Sequence, residues 1–531
     1  ALTLLLASFL ARLAWAARSA RPVQIAASSR ATARAAIPAA MLLLGIFQAT
    51  AYILVINNAT LRFWAIADGI FLGQGYPLTL TEPGPVSAGS PPYVYDLPLF
   101  PLLMRASFSL LGHTSTAAHM PALISSILFP LSLYLLLQEM TGSRTTAVIF
   151  SGLTSSFPLL RFWVLNLPDP DPFFLTGLCL AAYLYLRVAG TRRGWRSWLV
   201  AGVASGVVSL ARPEGILYVA FLGLGLLITR PGLRRIAVYS AAVGAFVIPM
   251  VVVWWANYGF LWPQNYNRTL STSFLRATLA QLDTPGGLAL YPKALGIGPE
   301  WALGLLALLI FAALAGTAIA AVRKPRLLPI ALPALANSLT IFFTNPWISN
   351  AFNYADFFRH AAFGIPFVVA IAGYGCHEAA RWLSAKPRGS LVRALLGLLL
   401  VAAVLREGDI LANPTATHRP GSPFASQALA DTTYLSLEAV LENPMRLPEM
   451  QFYRDQSGAL IAYVPDIKWP DAALQFFDSM DMSYDTQGRA FGYGGAVAFL
   501  LALAFAAISE GGWKRPVRAG REAATGSPSY E

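Results

Sequence analysis

Two carboxylates, Asp169 and Asp171, alternate with Pro168, Pro170 and Pro172. Proline restricts itself and the residue before it toward extended backbone. Residues two apart on an extended segment point the same way, so the pair can converge on a hydroxyl, as a catalytic base, or on a divalent cation. The competing reading is that one Asp caps a helix starting at 171, where negative charge is favoured. Further along, Arg212-Pro213-Glu214-Gly215 interrupts a long apolar stretch. A charge in mid-bilayer costs about 2.5–3.5 kcal/mol on insertion scales, so Arg212 has to meet water, a partner or a phosphate. Its planar fork suits bidentate phosphate binding and can stabilise a departing phosphate; pairing with Glu214 or snorkelling is the plainer account. Arg359 and His360 stand at the start of another apolar helix close to Asp356, either as phosphate ligands or as interfacial anchors. His113 and His119 lack the spacing of metal ligands on a helix, and no metal site is expected from them. Trp254, Trp255, Tyr258, Trp262 and Tyr266 either line a sugar or lipid site or form an interfacial belt.

These groups must be positioned by membrane-embedded helices. Of 531 residues, 56% are hydrophobic and 12% charged, against about 25% charged in soluble proteins. The apolar residues come in blocks near the roughly 20 residues that cross a bilayer as a helix. They predict spans near 36–56, 119–138, 145–165, 171–189, 197–212, 213–229, 236–256, 301–322, 327–343, 359–380, 391–405 and 491–509. Residues 2–17 add a further span or lie along the interface. The expected fold is an all-α polytopic membrane protein of about 12–13 transmembrane helices with long external loops.

Basic residues choose the sides. Arg192, Arg193 and Arg196, then Arg230, Arg234 and Arg235, then Arg323, Lys324 and Arg326 fall in alternate connections. Arg381, Lys386, Arg388 and Arg393 follow in another. Such connections are cytoplasmic. The other connections, 57–118, 257–300 and 406–490, are long and face outward. The sequence divides into an N-terminal apolar and basic segment (1–35), a transmembrane core (36–405) carrying the external loop 57–118, an acidic external segment or small domain (406–490), a last span (491–509) and a basic, polar cytoplasmic tail (510–531). Within the first long loop, 59–72 reads as helix, Gly and Pro break the chain after it, and 97–111 is apolar but too short to span.

The net charge of +12 does not indicate nucleic acid, because the cations sit in short connections between apolar blocks. Cys179 and Cys376 lie inside apolar segments and read as small apolar fillers. There is no Cys-x-x-Cys-His, no Gly-rich phosphate loop after a strand, and no soluble nucleotide-sugar domain.

The first external loop reads Asn57-Asn58-Ala-Thr-Leu-Arg-Phe-Trp-Ala-Ile-Ala-Asp68, then Gly73-Gln-Gly75-Tyr76, and ends Tyr93-Val-Tyr95-Asp96-Leu-Pro98-Leu-Phe-Pro101. With Pro168-Asp169-Pro-Asp171-Pro, Ala211-Arg212-Pro213-Glu214-Gly215, Asn257-Tyr-Gly-Phe-Leu-Trp-Pro263-Gln-Asn265-Tyr266 and Arg359-His360 through Pro366, this layout resembles the C-type membrane glycosyltransferases. That group holds the protein mannosyltransferases, aminoarabinose transferases and bacterial arabinofuranosyltransferases, and the likeness covers roughly 36–380. It implies transfer of a sugar from a polyprenyl-phosphate lipid on the external face of a membrane, in bacteria the inner membrane. On this reading Asp169, Asp171, Asp96 and Asp68 are the candidate catalytic carboxylates, and Asn58, Arg212, Arg359, His360 and Asn265 the candidate substrate-binding residues. No cofactor is assigned, and a divalent cation is left open.

One departure from the family pattern matters. Where such proteins place a catalytic Asp after the first helix, this chain has Asn57 and Asn58, and an amide cannot take the acceptor's proton. Asp68 is displaced by about 15 Å along a helix and rotated away; Asp96, beside a Pro-rich turn, is a second substitute base or simply a turn residue. The rival expectation is therefore a catalytically silent, glycosyltransferase-like subunit of a larger membrane complex, docking partner proteins through 406–490. A transporter is the weakest reading, since no paired set of interrupted helices is evident.

Overall fold

A computed structural model describes residues 27–49, 63, 67, 80–81, 97–112, 115–156, 160, 164–165, 170–190, 194–212, 214–258, 301–333, 364–384, 451–454, 460–463 and 480–510. The described chain is helical almost throughout. In order run α1 (Ala27–Ala49), the short strand β1 (Leu80–Thr81), α2 (Leu99–Leu111), α3 (Ser115–Thr141), α4 (Arg144–Ser156), α5 (Pro170–Ala189), α6 (Trp195–Ser209) and α7 (Glu214–Thr229). Then follow α8 (Leu233–Tyr258), α9 (Trp301–Arg323), α10 (Ile365–Ser384), β2 (Gln451–Arg454), β3 (Leu460–Tyr463) and α11 (Met480–Ser509).

The expected spans at 119–138, 171–189, 197–212, 213–229, 236–256 and 301–322 appear as helices with ends within a few residues; those at 36–56, 145–165, 359–380 and 491–509 coincide with helices whose ends differ by up to about ten residues or pass outside the described residues, as do most of 327–343 and all of 391–405. Four described segments, Arg30–Ala49, Ala117–Thr141, Pro170–Ala189 and Leu233–Val253, are long and apolar enough to cross a membrane. Four shorter apolar helical segments accompany them. The expectation of an all-α polytopic membrane protein is borne out. The strands are a minor addition: β1, β2 and β3 pair antiparallel, with Leu80 opposite Tyr453 and Phe452 opposite Ala462. They join a piece of the 57–118 loop to a piece of 406–490.

Close backbone approach holds the helices together. In lipid, association depends on packing rather than on expulsion of water, so small residues mark the contacts. A Cβ on Gly316 of α9 would run into the Ile371 carbonyl of α10, and one on Gly375 would lie 2.7 Å from the Ala312 carbonyl oxygen. Gly45 of α1 meets the Ile127 backbone of α3 in the same manner. Around these crossings Leu133, Leu137, Phe174, Tyr185, Trp198 and Tyr374 form a single core that runs through α3, α5, α6 and α10. Outward, Leu227, Leu233 and Val322 are left exposed, as expected of a surface that meets acyl chains.

The two ends of the bundle differ chemically. At one end Glu378 is buried and accepts from Arg323 Nη1 (2.9 Å) and Arg381 Nη1 (3.2 Å). Lys324 donates to the Met140 carbonyl (3.3 Å) and lies over the Tyr374 ring. Burial pulls the Lys324 ammonium below its ordinary pKa, Glu378 opposes that pull, and Arg326 and Arg381 add to it. Glu510 caps α4 from across the sequence, accepting from the Arg144 (2.5 Å) and Thr145 (3.3 Å) backbone N–H groups and from the Thr145 hydroxyl (2.9 Å).

At the other end α3, α5, α7 and α10 all begin. The loop helix α2 packs there, with Phe63, Ala67, Phe100, Met104 and Phe108 set against Ala117, Ala118 and Ala122 at the start of α3. Its apolar 97–111 stretch, too short to span, thus folds back onto the bundle.

Candidate functional site

The buried charges at this second end gather around Arg212. Local sequence explains how each arrives. Pro170 opens α5, where its missing N–H is not needed and its fixed φ suits the first turn. Asp171 is then in the first helical turn, where a carboxylate is stabilised by the orphan N–H groups and the helix dipole. The extended geometry expected for 168–172 therefore does not hold from Pro170 onward: helix initiation outweighs the bias of proline toward extended backbone. The argument that Asp169 and Asp171 point together through an extended segment falls with it. Asp169 itself lies outside the described residues.

Helix α6 ends at Ser209, and two tight backbone bonds, Leu210 N–H to Val207 and Ala211 N–H to Val208, turn the chain. Arg212 sits in this turn and is only 8% exposed. Its Nη1 donates to the Asp171 carboxylate, which is fully buried. Its Nε and Nη2 donate to the two oxygens of Glu214, each at 3.3 Å. The Glu214 side chain is 19% exposed. One guanidinium thus bridges a buried carboxylate on α5 and a partly exposed one opening α7. Of the outcomes read for Arg212 from sequence, pairing with Glu214 is present, and Asp171 joins it as a second partner.

Aromatic rings wall the cluster. Tyr218, one turn after Glu214 and 3% exposed, stacks on Phe367 of α10 at 5.6 Å between centroids and meets the edge of Phe174 of α5 at 6.0 Å. The first turns of α5 and α7 therefore meet at Arg212, where their N-terminal dipoles add to a positive field, and the start of α10 reaches the cluster through the Phe367 ring. Helix α2 reaches the same place through a Leu99 N–H to Leu210 carbonyl bond of 3.4 Å. A buried guanidinium beside two helix N-termini is suited to an anion whose paired oxygens match the fork, a carboxylate such as Glu214 or a phosphate.

Among the sequence-derived candidates, the structure brings together Asp171 and Arg212. Asp169, Asp96, Asp68, Asn58, Asn265, Arg359 and His360 lie outside the described residues. Sequence reasoning left Tyr218 unmentioned; its i, i+4 spacing from Glu214 on a helix was the available signal. Among the described residues no group of three His, Cys, Asp or Glu side chains could hold a metal ion, and the one described member of the Asp pair is engaged by Arg212.

Comparison with known proteins agrees with the motif reading. Residues 91–255 match the family described as dolichyl-phosphate-mannose-protein mannosyltransferase, a segment that includes Asp171, Arg212, Glu214 and Tyr218. No curated protein sequence matches the chain significantly. Among solved structures, the chain is similar to ArnT from Cupriavidus metallidurans bound to undecaprenyl phosphate, with 14% identity, 92% of this chain and 78% of that one covered, and a TM-score of 0.43. It is also similar to the Archaeoglobus fulgidus oligosaccharyltransferase tethered to an acceptor peptide, with 15% identity, 87% and 64% covered, and a TM-score of 0.45. A third is the archaeal oligosaccharyltransferase AglB from the same organism with an inhibitory peptide and a dolichol-phosphate, with 16% identity, 75% and 56% covered, and a TM-score of 0.38. The match over residues 91–255, a segment that holds the Arg212 cluster, is to the dolichyl-phosphate-mannose-protein mannosyltransferase family, and the solved structures share the helical membrane fold.

Proposed function

We propose that the protein moves one sugar, with inversion, from a polyprenyl-phosphate donor to an acceptor at the outer face of a bacterial inner membrane. The observation that carries this reading is the buried Arg212 guanidinium, clamped by Asp171 and Glu214 where α5 and α7 begin, inside the mannosyltransferase-like segment. Departure of the lipid phosphate leaves negative charge on its oxygens, and a preorganised guanidinium stabilises that charge without reorganising. Asp171, fully buried and held by Arg212, acts to position the guanidinium and is poorly placed as a base. The base role then passes to Asp169, with Asp96 or Asp68 positioning the acceptor. Arg359, His360, Asn58 and Asn265 complete donor and acceptor binding, and holding the reactants together contributes through orientation as well as charge.

The corresponding organisation is a 36–405 catalytic core, an external 406–490 segment that contacts acceptor or partner proteins, a last span at 491–509 and a cytoplasmic tail at 510–531. Transfer of radiolabelled sugar from polyprenyl phosphate by membranes holding each variant tests the reading. Asp169→Asn and Arg212→Lys are each expected to remove more than nine-tenths of turnover, on the scale of a lost base or a lost charge stabiliser, with expression unchanged. Wild-type turnover in both variants would refute it.

Asn57-Asn58, standing where the family places its catalytic Asp, favours a second reading: a silent subunit that scaffolds a membrane complex. Stoichiometric co-purification with partner proteins, together with no transfer from any polyprenyl-phosphate sugar, is its signature.

A further inference from the structure

The two carboxylates on Arg212 are not equivalent. Asp171 is fully buried and fixed in the first turn of α5 between Pro170 and Pro172. Glu214 is partly exposed and grips the fork through two contacts of 3.3 Å, long for charge-assisted bonds, which favour about 2.7–2.9 Å. A phosphate monoester, the form of the lipid once the sugar has left it, offers the same bidentate geometry with more charge. It would displace the loosely held, more accessible partner and leave Asp171 in place.

A further donor waits beside that exchange. Tyr218 lies one helical turn from Glu214 on the same face of α7. Its ring is held by the Phe367 stack and the Phe174 edge. Its hydroxyl is buried and has no hydrogen-bond partner among the described residues, within the fields of both Glu214 and Arg212. A buried hydroxyl without a partner destabilises the fold, so its presence next to an anion-receiving guanidinium points to a ligand rather than to packing.

We infer that Glu214 is an internal stand-in on Arg212 for the phosphate of the polyprenyl monophosphate that transfer releases, and that the Tyr218 hydroxyl is a phosphate-binding donor that becomes satisfied when this lipid phosphate takes Glu214's place. The inference rests on the reading of Arg212 as the phosphate residue and adds two roles to it. Phe174 and Phe367, flanking the tyrosine, give the first isoprene units an apolar wall next to the headgroup. The ligand class is a polyprenyl monophosphate; a free phosphate shares its headgroup chemistry but not that wall.

The test uses the full chain in lipid nanodiscs with farnesyl phosphate, farnesol and inorganic phosphate as probes, read by calorimetry, and with ligand-free thermal unfolding measured in parallel. Tyr218→Phe is expected to weaken farnesyl phosphate by about tenfold, the effect of one hydrogen bond to a charged group, while the ligand-free midpoint stays level or rises. Glu214→Gln is expected to tighten farnesyl phosphate severalfold, since the competitor on the fork is neutralised. Farnesol should respond to neither change. Unaltered affinity in Tyr218→Phe, a matching fall in its ligand-free midpoint, or weaker binding in Glu214→Gln overturns the inference. Arg212→Lys, which keeps a cation against Asp171 but loses the fork, addresses the parent reading separately: undiminished binding there refutes the phosphate role of Arg212 itself. Inorganic phosphate binding as tightly as farnesyl phosphate overturns the assignment to a lipid headgroup.

Discussion

Removing charge from Asp171 and from Glu214 should affect stability very differently. In Asp171→Asn a fully buried acceptor of Arg212 is neutralised while Glu214 continues to compensate the guanidinium. The loss is then that of one charge-assisted hydrogen bond, about 1.5–3 kcal/mol, rather than the 3–5 kcal/mol of a buried charge left alone. Glu214→Gln removes a partly exposed partner at 3.3 Å, and the cost falls below about 1 kcal/mol. The double variant strands a guanidinium that is only 8% exposed without a carboxylate among its described partners. Its cost should approach about 3–5 kcal/mol, beyond the sum of a modest Asp171 loss and a small Glu214 loss. A double-mutant cycle isolates this excess. Reversible unfolding in mixed micelles, followed by tryptophan fluorescence at fixed detergent ratio, supplies the four free energies. Additive losses, or a Glu214 variant as damaged as the Asp171 variant, would mean that Arg212 is neutralised by something other than this pair, and the asymmetry argued for the site would go with it.

Three further outcomes follow from the same structure. Gly316→Val forces a branched side chain into the Ile371 carbonyl and should cost about 1–3 kcal/mol as overpacking, visible as a lowered thermal midpoint that Gly223→Val, at an unobstructed position, does not share. Glu510→Ala removes the cap on α4 and should cost about 1 kcal/mol, with faster amide exchange confined to residues 144–147; exchange unchanged there sinks the capping role. In a background lacking Cys179 and Cys376, cysteine placed at 442 should react in intact cells with a membrane-impermeant maleimide and cysteine placed at 388 should not. The reverse pattern would invert the orientation and move the Arg212 cluster to the cytoplasmic end.

Sequence determined the architecture. The length of the apolar blocks and the spacing of Arg and Lys are local signals, and a bilayer converts them directly into helices because each backbone group must be satisfied within its own segment. That is why the edges of α3, α5, α6, α7 and α8 lie within a few residues of their expected positions. Local rules ran out at Pro170-Asp171-Pro172, where two proline tendencies compete, toward extended backbone and toward a helix's first turn. Tertiary structure decided in favour of the helix, which aims Asp171 at Arg212. That pairing joins residues 41 positions apart, and the Tyr218–Phe367 stack joins residues still more distant in sequence; no periodicity or spacing encodes either. Both depend on which helix ends meet, and that is set by close approach at glycines and by the shapes of side chains packed across several helices. From sequence, Arg212 was a charge with Glu214 as its local partner; only the folded bundle brought Asp171 from α5 to it and set the Tyr218 ring against Phe174 and Phe367.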